Sequence, residues 1–267
     1  MGHSRFCHCG GLYRTVFGLL AILGISSLLH AQFGPLLSPF QAPQAKSQEE
    51  LDIYLRIVSS SDPSKTVHEV EDLAAKYPKS DLLGVAFQYE MLAYQQINDF
   101  DGLLAAGQKA LKLQPKNVNT LLTLAVAIPE GASQRPDESE LLKQAEDDAH
   151  QAIQELARMR IPRRISMEQW KVLRAEMDSR AHEALGSIAM KRGNVAAAIA
   201  EFKVAVAGNP RPDGRQFYSL GVAYARDQKI DSAQEALRRA VSLGPRGVQE
   251  LALKELKKLN HQVDVDH

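Results

Sequence analysis

Near the C-terminal end the chain repeats itself at a fixed interval of 35 residues. Leu185-Gly186 returns as Leu220-Gly221, Ala198, Phe202 and Ala205 return as Ala233, Leu237 and Ala240, and Pro210 returns as Pro245. An interval of this size marks a chain built by stacking one small unit on the next, and no other feature of the sequence narrows the fold as far. Within each unit the apolar residues fall three and four apart, the period of a helix. The pattern also explains its own residues. Gly186 and Gly221 let the first helix of a hairpin come close to the second, and Ala198 and Ala233 offer a small surface in return. Phe202 and Leu237 fill the space between neighbouring hairpins, and Pro210 and Pro245 end the second helix because proline cannot continue the hydrogen-bond ladder.

The same period extends upstream, with almost no alternating β-pattern and with breaks at Pro, Gly, Asp or Asn. It predicts helices over Glu49–Val58, Pro63–Lys76, Asp81–Ile97, Phe100–Leu113, Asn117–Ile128 (stopped by Pro129), Glu138–Met159, Ser166–Lys191, Asn194–Ala207, Gly214–Asp227, Asp231–Leu243 and Val248–Asn260. Helices joined by short loops make αα-hairpins, and a succession of them makes a solenoid. Composition agrees: 45% of the residues are hydrophobic but only 6% aromatic. Ala and Leu dominate the apolar set, and both are good helix formers.

These residues resemble the tetratricopeptide repeat family, whose unit pairs an aromatic, a Leu-Gly and an aromatic on its first helix with Ala, Phe, Ala and Pro on its second. In the last copy Phe217, Leu220, Gly221, Tyr224, Ala233, Leu237, Ala240 and Pro245 occupy the eight positions. In the copy before it Leu185, Gly186, Ala198, Phe202, Ala205 and Pro210 fit, while His182 and Ala189 replace aromatics. An earlier copy at 84–117 keeps Phe87, Tyr94, Ala110 and Pro115, has Glu90-Met91 for Leu-Gly, and has Gly107 where a large residue belongs. The resemblance implies an all-α, right-handed α-solenoid of about five hairpins over 49–261, clearest at 84–117, 179–212 and 214–247. Val248–Asn260, with one apolar stripe and a basic outer face, would be its C-terminal capping helix.

The N-terminal 31 residues read differently. Met1–Arg14 carries Arg5 and Arg14 and no acid, Thr15–Leu29 is uncharged, and small Ala31 follows. A basic head, a short apolar run and a small residue form the pattern of a secretory signal peptide. A retained anchor is the alternative, although a spanning helix needs about 20 apolar residues. Gln32–Gln48, with three prolines, reads as a linker. Cleavage after Ala31 would leave 267 − 31 = 236 residues and remove both cysteines, Cys7 and Cys9, so packing alone would stabilise an exported domain. Localisation in the periplasm or cell envelope follows from this signal alone.

Candidate chemistry fails on spacing. Cys7-His8-Cys9 is too tight for a zinc knuckle. His182-Glu183 has Gly186 where a metalloprotease helix needs its second histidine, and His68-Glu69 has Asp72 there. No phosphate-cradling or nucleophile-elbow motif is present, and Glu146-Asp147-Asp148 reads as a solvated acidic run. Neither a metal nor a cofactor is expected. Lys+Arg and Asp+Glu both number 32, so no net field points to nucleic acid or to an anionic membrane.

What remains is a groove. In the resembling family the first helices of successive hairpins line a concave face that holds a partner's peptide or helix. Here this implies Arg180, Glu183, Ser187, Met190 and Lys191, then Arg215, Tyr218, Val222, Ala225 and Arg226. Arg180, Lys191, Arg215, Tyr218 and Arg226 are the candidate partner-binding residues, and their basic character suits a partner with acidic groups. The reading is therefore a non-catalytic scaffold for other proteins. A membrane-tethered adaptor and a hydrolase with its site between Pro129 and Arg164 are the alternatives.

Overall fold

A computed structural model describes residues 43–162 and 165–265, all within one unit of the chain, Pro35–His267. The segment expected to be an export signal (1–31) and most of the expected linker (32–42) lie outside the described residues. The described residues contain no strand and eleven helices: α1 Gln48–Ser59, α2 Pro63–Lys76, α3 Leu83–Gln96, α4 Phe100–Leu113, α5 Val118–Gly131, α6 Glu138–Arg158, α7 Met167–Lys191, α8 Val195–Gly208, α9 Gly214–Arg226, α10 Ile230–Leu243 and α11 Arg246–Val265.

Local chemistry sets most of the boundaries. Side chains of Ser47, Asp62, Asp99, Asn117, Ser166, Asn194 and Asp213 each accept a hydrogen bond from a backbone N–H in the first turn of the helix that follows. Such caps satisfy donors that the helix itself cannot pair. Ser166 with Gln169, and Asp213 with Gln216, form complete capping boxes. Three first helices end alike. Asn98, Gly193 and Gln228 take positive φ (57°, 75° and 58°). Behind them Asp99 N–H donates to Tyr94 O, Asn194 N–H to Ala189 O and Lys229 N–H to Tyr224 O, at 2.9, 2.9 and 3.0 Å. This six-to-one closure turns the chain back within three residues.

The helices pair as α1/α2, α3/α4, α5/α6, α7/α8 and α9/α10, and each second helix packs on the first helix of the next pair. α11 packs on α10 and α9, the place a sixth first helix would take. This is the expected α-solenoid of five hairpins and a terminal helix, and its core runs along the stack as a series of clusters. One joins α1, α2 and α3 through Ile53, Ile57, Val70, Leu73 and Val85. Another joins α8 to α9 through Ala198, Phe202, Leu220 and Ala223, and a third seats Ala252 and Leu259 of α11 on Phe217 and Leu237.

A Cβ on Gly186 would lie 2.5 Å from the Phe202 ring, and one on Gly221 would lie 2.7 Å from Leu237 Cγ. Phe202 and Leu237 therefore sit on the glycine of their own hairpin, as well as bridging to the next.

Three expectations need correction. Pro129 does not stop α5, which runs on to Gly131. A proline there forfeits only its own donor, and Ala132 N–H still reaches Ile128 O at 2.9 Å. α11 continues five residues past Asn260, to Val265. Asp148 is not solvated: it is 7% exposed, on the face of α6 that carries Leu141, Ala145 and Ala152.

Candidate protein-interaction surface

The first-helix face is assembled at the contact of α7 with α9. A buried polar chain fixes that contact. Ser179 Oγ donates to Ala205 O at 2.7 Å, and Gln216 Nε2 donates to Ser179 Oγ at 2.7 Å. Gln216 Oε1 in turn accepts from Asn209 Nδ2 at 2.8 Å. A fully paired buried network holds its helices in one register. None of the three side chains, Ser179, Gln216 and Asn209, is among the candidate partner-binding residues, although Asp213 with Gln216 three residues later is a legible capping pattern.

On this base Arg180 and Arg215 stand exposed, with Glu183 half-buried between them. Burial raises the Glu183 carboxyl above its ordinary range and nearby Asp213 adds to the rise, while Arg180, Arg215 and Gln216 act the other way. Among the described residues Arg180 and Arg215 form no ion pair, so each keeps donors for an outside acceptor. Ser187, Met190, Val222 and Ala225 follow as a half-buried floor. Lys191 and Arg226 are exposed at the far ends of α7 and α9. They lie eleven positions from Arg180 and Arg215, about 16 Å along a helix. The four basic candidates thus do not form one cluster: they make two edges with a less polar floor between.

Two of the five candidates also have partners inside the protein. Lys191 Nζ donates to Ser133 Oγ at 2.5 Å, which ties α7 to the turn after α5. Tyr218 packs in the cluster that holds α11. Burial raises its hydroxyl pKa, as does Glu255 of α11, while Lys258 opposes them. Tyr218 is therefore part of the seat of α11.

The side of the stack made by second helices is distinct. An open cleft lies between α6 (Glu146, His150) and α8 (Ala197, Glu201), with Leu185 and Ala189 of α7 and the turn residues Arg192 and Asn194 completing its lining. Arg192 Nη1 donates to Glu146 at 2.8 Å, and His182 Nδ1 lies 2.7 Å from Glu201 Oε2. The histidine of the His182-Glu183 pair thus turns toward α8 while Glu183 faces α9. Among the described residues no three His, Cys, Asp or Glu side chains converge as a metal site would require. The region from Pro129 to Pro162 is mostly helix, interrupted at 132–137. No described helix is long and apolar enough to cross a membrane.

Comparison with known proteins agrees with this architecture. Residues 217–246 match the tetratricopeptide repeat family by sequence. Compared by sequence with curated proteins, the chain has no match. By structure it is similar to a MamA RS-1 ArsTM double mutant, at 15% identity and TM-score 0.54 over 75% of this chain and 96% of the other. It is similar to PilW, described as a widely conserved type IV pilus biogenesis factor, at 13% identity and TM-score 0.54 over 82% and 94%. It also resembles the assembly chaperone of RpL4, at 14% identity and TM-score 0.59 over 81% and 86%. Likeness at these identities speaks for the fold, and the sequence match speaks for the repeat: the chain is a helical-repeat solenoid that carries a tetratricopeptide repeat at residues 217–246.

Proposed function

We propose that this protein is a non-catalytic interaction scaffold of the bacterial cell envelope, which holds a partner's peptide or helix along the face made by its first helices. The observation that carries the reading is the α7/α9 junction. Arg180 and Arg215 are free of described ion pairs there, and Met190 and Val222 give the same face an apolar floor. Cations that offer donors beside a half-buried apolar strip suit an acidic amphipathic segment, since charge sets orientation and the strip supplies burial. The envelope assignment rests on the basic head and uncharged run of the first 31 residues.

A photo-crosslinking residue placed at Ser187 in intact cells should capture a discrete partner band. The same residue at exposed Glu235 on α10 should capture none. Equal capture at both positions, or none at Ser187, would refute the groove. N-terminal sequencing of the cellular protein tests the second half of the reading. A start at Gln32 supports export with cleavage, whereas a start at Met1 makes the protein a tethered adaptor.

A further inference from the structure

The chain is neutral overall, but its charge is not evenly spread. Between Arg158 and Arg174 the sequence holds six basic residues and one acid, Glu168. Two of the six, Arg163 and Arg164, lie outside the described residues; the inference rests on the other four.

Those four stand where α6 gives way to α7, the two longest of the described helices, 21 and 25 residues against 14 in α4, α8 and α10. α7 begins twelve residues before Ser179, where its repeat unit starts, an extension of about 18 Å. The tip has a firm base, because Met159 and Leu173 pack on the cluster of Leu156 and Met177. Met167, Lys171 and Arg174 follow at four- and three-residue spacing and so share one stripe of α7, and all three are exposed. Arg158 and Arg160 are exposed at the end of α6 and just beyond it. Pairing within the protein is loose: Lys171 reaches Glu168 at 3.9 Å and Arg158 reaches Glu155 at 3.8 Å. Among the described residues Arg160 and Arg174 have no ion pair at all. Two large apolar side chains stand bare beside them, Ile161 at 41% and Met167 at 59% exposure.

We propose that this tip docks on an anionic phospholipid surface. Arg158, Arg160, Lys171 and Arg174 would meet headgroup phosphates, and Ile161 and Met167 would enter the interface. Arginine pairs with phosphate through two parallel donors, and clustered cations accumulate at anionic leaflets. Exposed apolar residues beside the cations favour a lipid surface over nucleic acid, because an interface can take them out of water. The surface lies apart from the α7/α9 groove and does not depend on it.

The test uses the full chain and vesicles of phosphatidylcholine, either alone or with about one-third phosphatidylglycerol. The variant R158Q/R160Q/K171Q/R174Q should lose up to roughly a thousandfold in binding to the anionic vesicles. Its binding to neutral vesicles should equal that of the wild type, since any contribution from the first 31 residues is common to both. The charge-preserving R158K/R160K/K171R/R174K should bind like the wild type, which separates lost charge from lost folding. I161S/M167S should weaken anionic binding less than the charge variant does. Wild-type affinity in the glutamine variant overturns the proposal. So does duplex DNA or polyglutamate that binds the tip as tightly as the vesicles and is lost in the same variant.

Discussion

The hairpins α9/α10 and α3/α4 do the same work with opposite arrangements of size. In α9/α10 the small residue, Gly221, is on the first helix and the large one, Leu237, is on the second. In α3/α4 the first helix carries buried Met91, and the small residue is Gly107 on the second. The space over Gly107 is not empty. A Cβ there would lie 2.7 Å from Leu124 Cδ2, so α5 of the next hairpin fills it. The position matching Leu220 is Glu90, 1% exposed, with Lys109 Nζ 3.5 Å from its carboxylate and 5.2 Å from the centre of the Phe87 ring. What the two hairpins share is a filled volume, because packing density leaves no tolerance for a gap. Which helix supplies the atoms is free to change. The N-terminal solution has a polar cost. Among the described residues the buried carboxylates Glu50, Glu90 and Asp148 all precede α7, and so do the buried side-chain atoms left without a hydrogen-bond partner, on Glu50, Thr120 and Asp148.

Truncation tests this equivalence most strongly. Leu237→Ala and Leu124→Ala should each cost about 2–5 kcal/mol in urea denaturation, since both leave a glycine facing a void. A loss under about 1 kcal/mol at Leu124 would mean that the N-terminal hairpins are loosely packed and that the equivalence fails.

Next in size is the polar cost, which is readable through pH. Burial raises the Asp148 carboxyl to about 7, Gln144 opposes this and Asp147 adds to it. The native state therefore holds a proton that the unfolded chain releases. Stability is full below the ordinary aspartate range and falls as pH rises toward about 7. Asp148→Asn should melt like the wild type near pH 4 and gain up to about 4 kcal/mol on it by pH 8. Melting curves that stay parallel across that range would show that Asp148 is not protonated in the native state.

A smaller effect isolates the exchanged arrangement itself. Gly107→Leu should destabilise alone, Leu124→Ala should destabilise alone, and the double variant should recover about 1–3 kcal/mol of their sum. Strict additivity would separate the two residues energetically. Smallest of all are the turns. Gln228→Gly should stabilise and Gly193→Ala should destabilise, each by about 1 kcal/mol, because only glycine takes positive φ at no steric cost.

The helices were legible because their signals are local. Pro63, Pro115, Pro210 and Pro245, and caps such as Asp62 and Asn194, act within a turn of where they stand. Pro129 misled because a proline near a helix end loses one bond and not the helix. The candidate surface was legible only as a region. Arg180 and Arg215 could be placed by repeat position, but the carboxylate between them depends on Ser179 and Gln216 meeting across 37 residues of sequence. Lys191 is engaged by Ser133 from 58 residues away, and Tyr218 by a helix that reads on its own as a plain cap. Asp148 was hidden because an acidic triplet on an amphipathic helix does not announce which member turns inward.

The closed turns at Asn98, Gly193 and Gln228 bear on how such a chain can be cut and rejoined. A reversal sealed within three residues leaves no slack for an inserted domain or a new terminus. The connection at 132–137 is longer, and it leads into α6, one of the two helices whose lengths depart most from the repeat. Circular permutation, reporter insertion and fragment complementation should therefore succeed at this connection and fail at the three sealed ones.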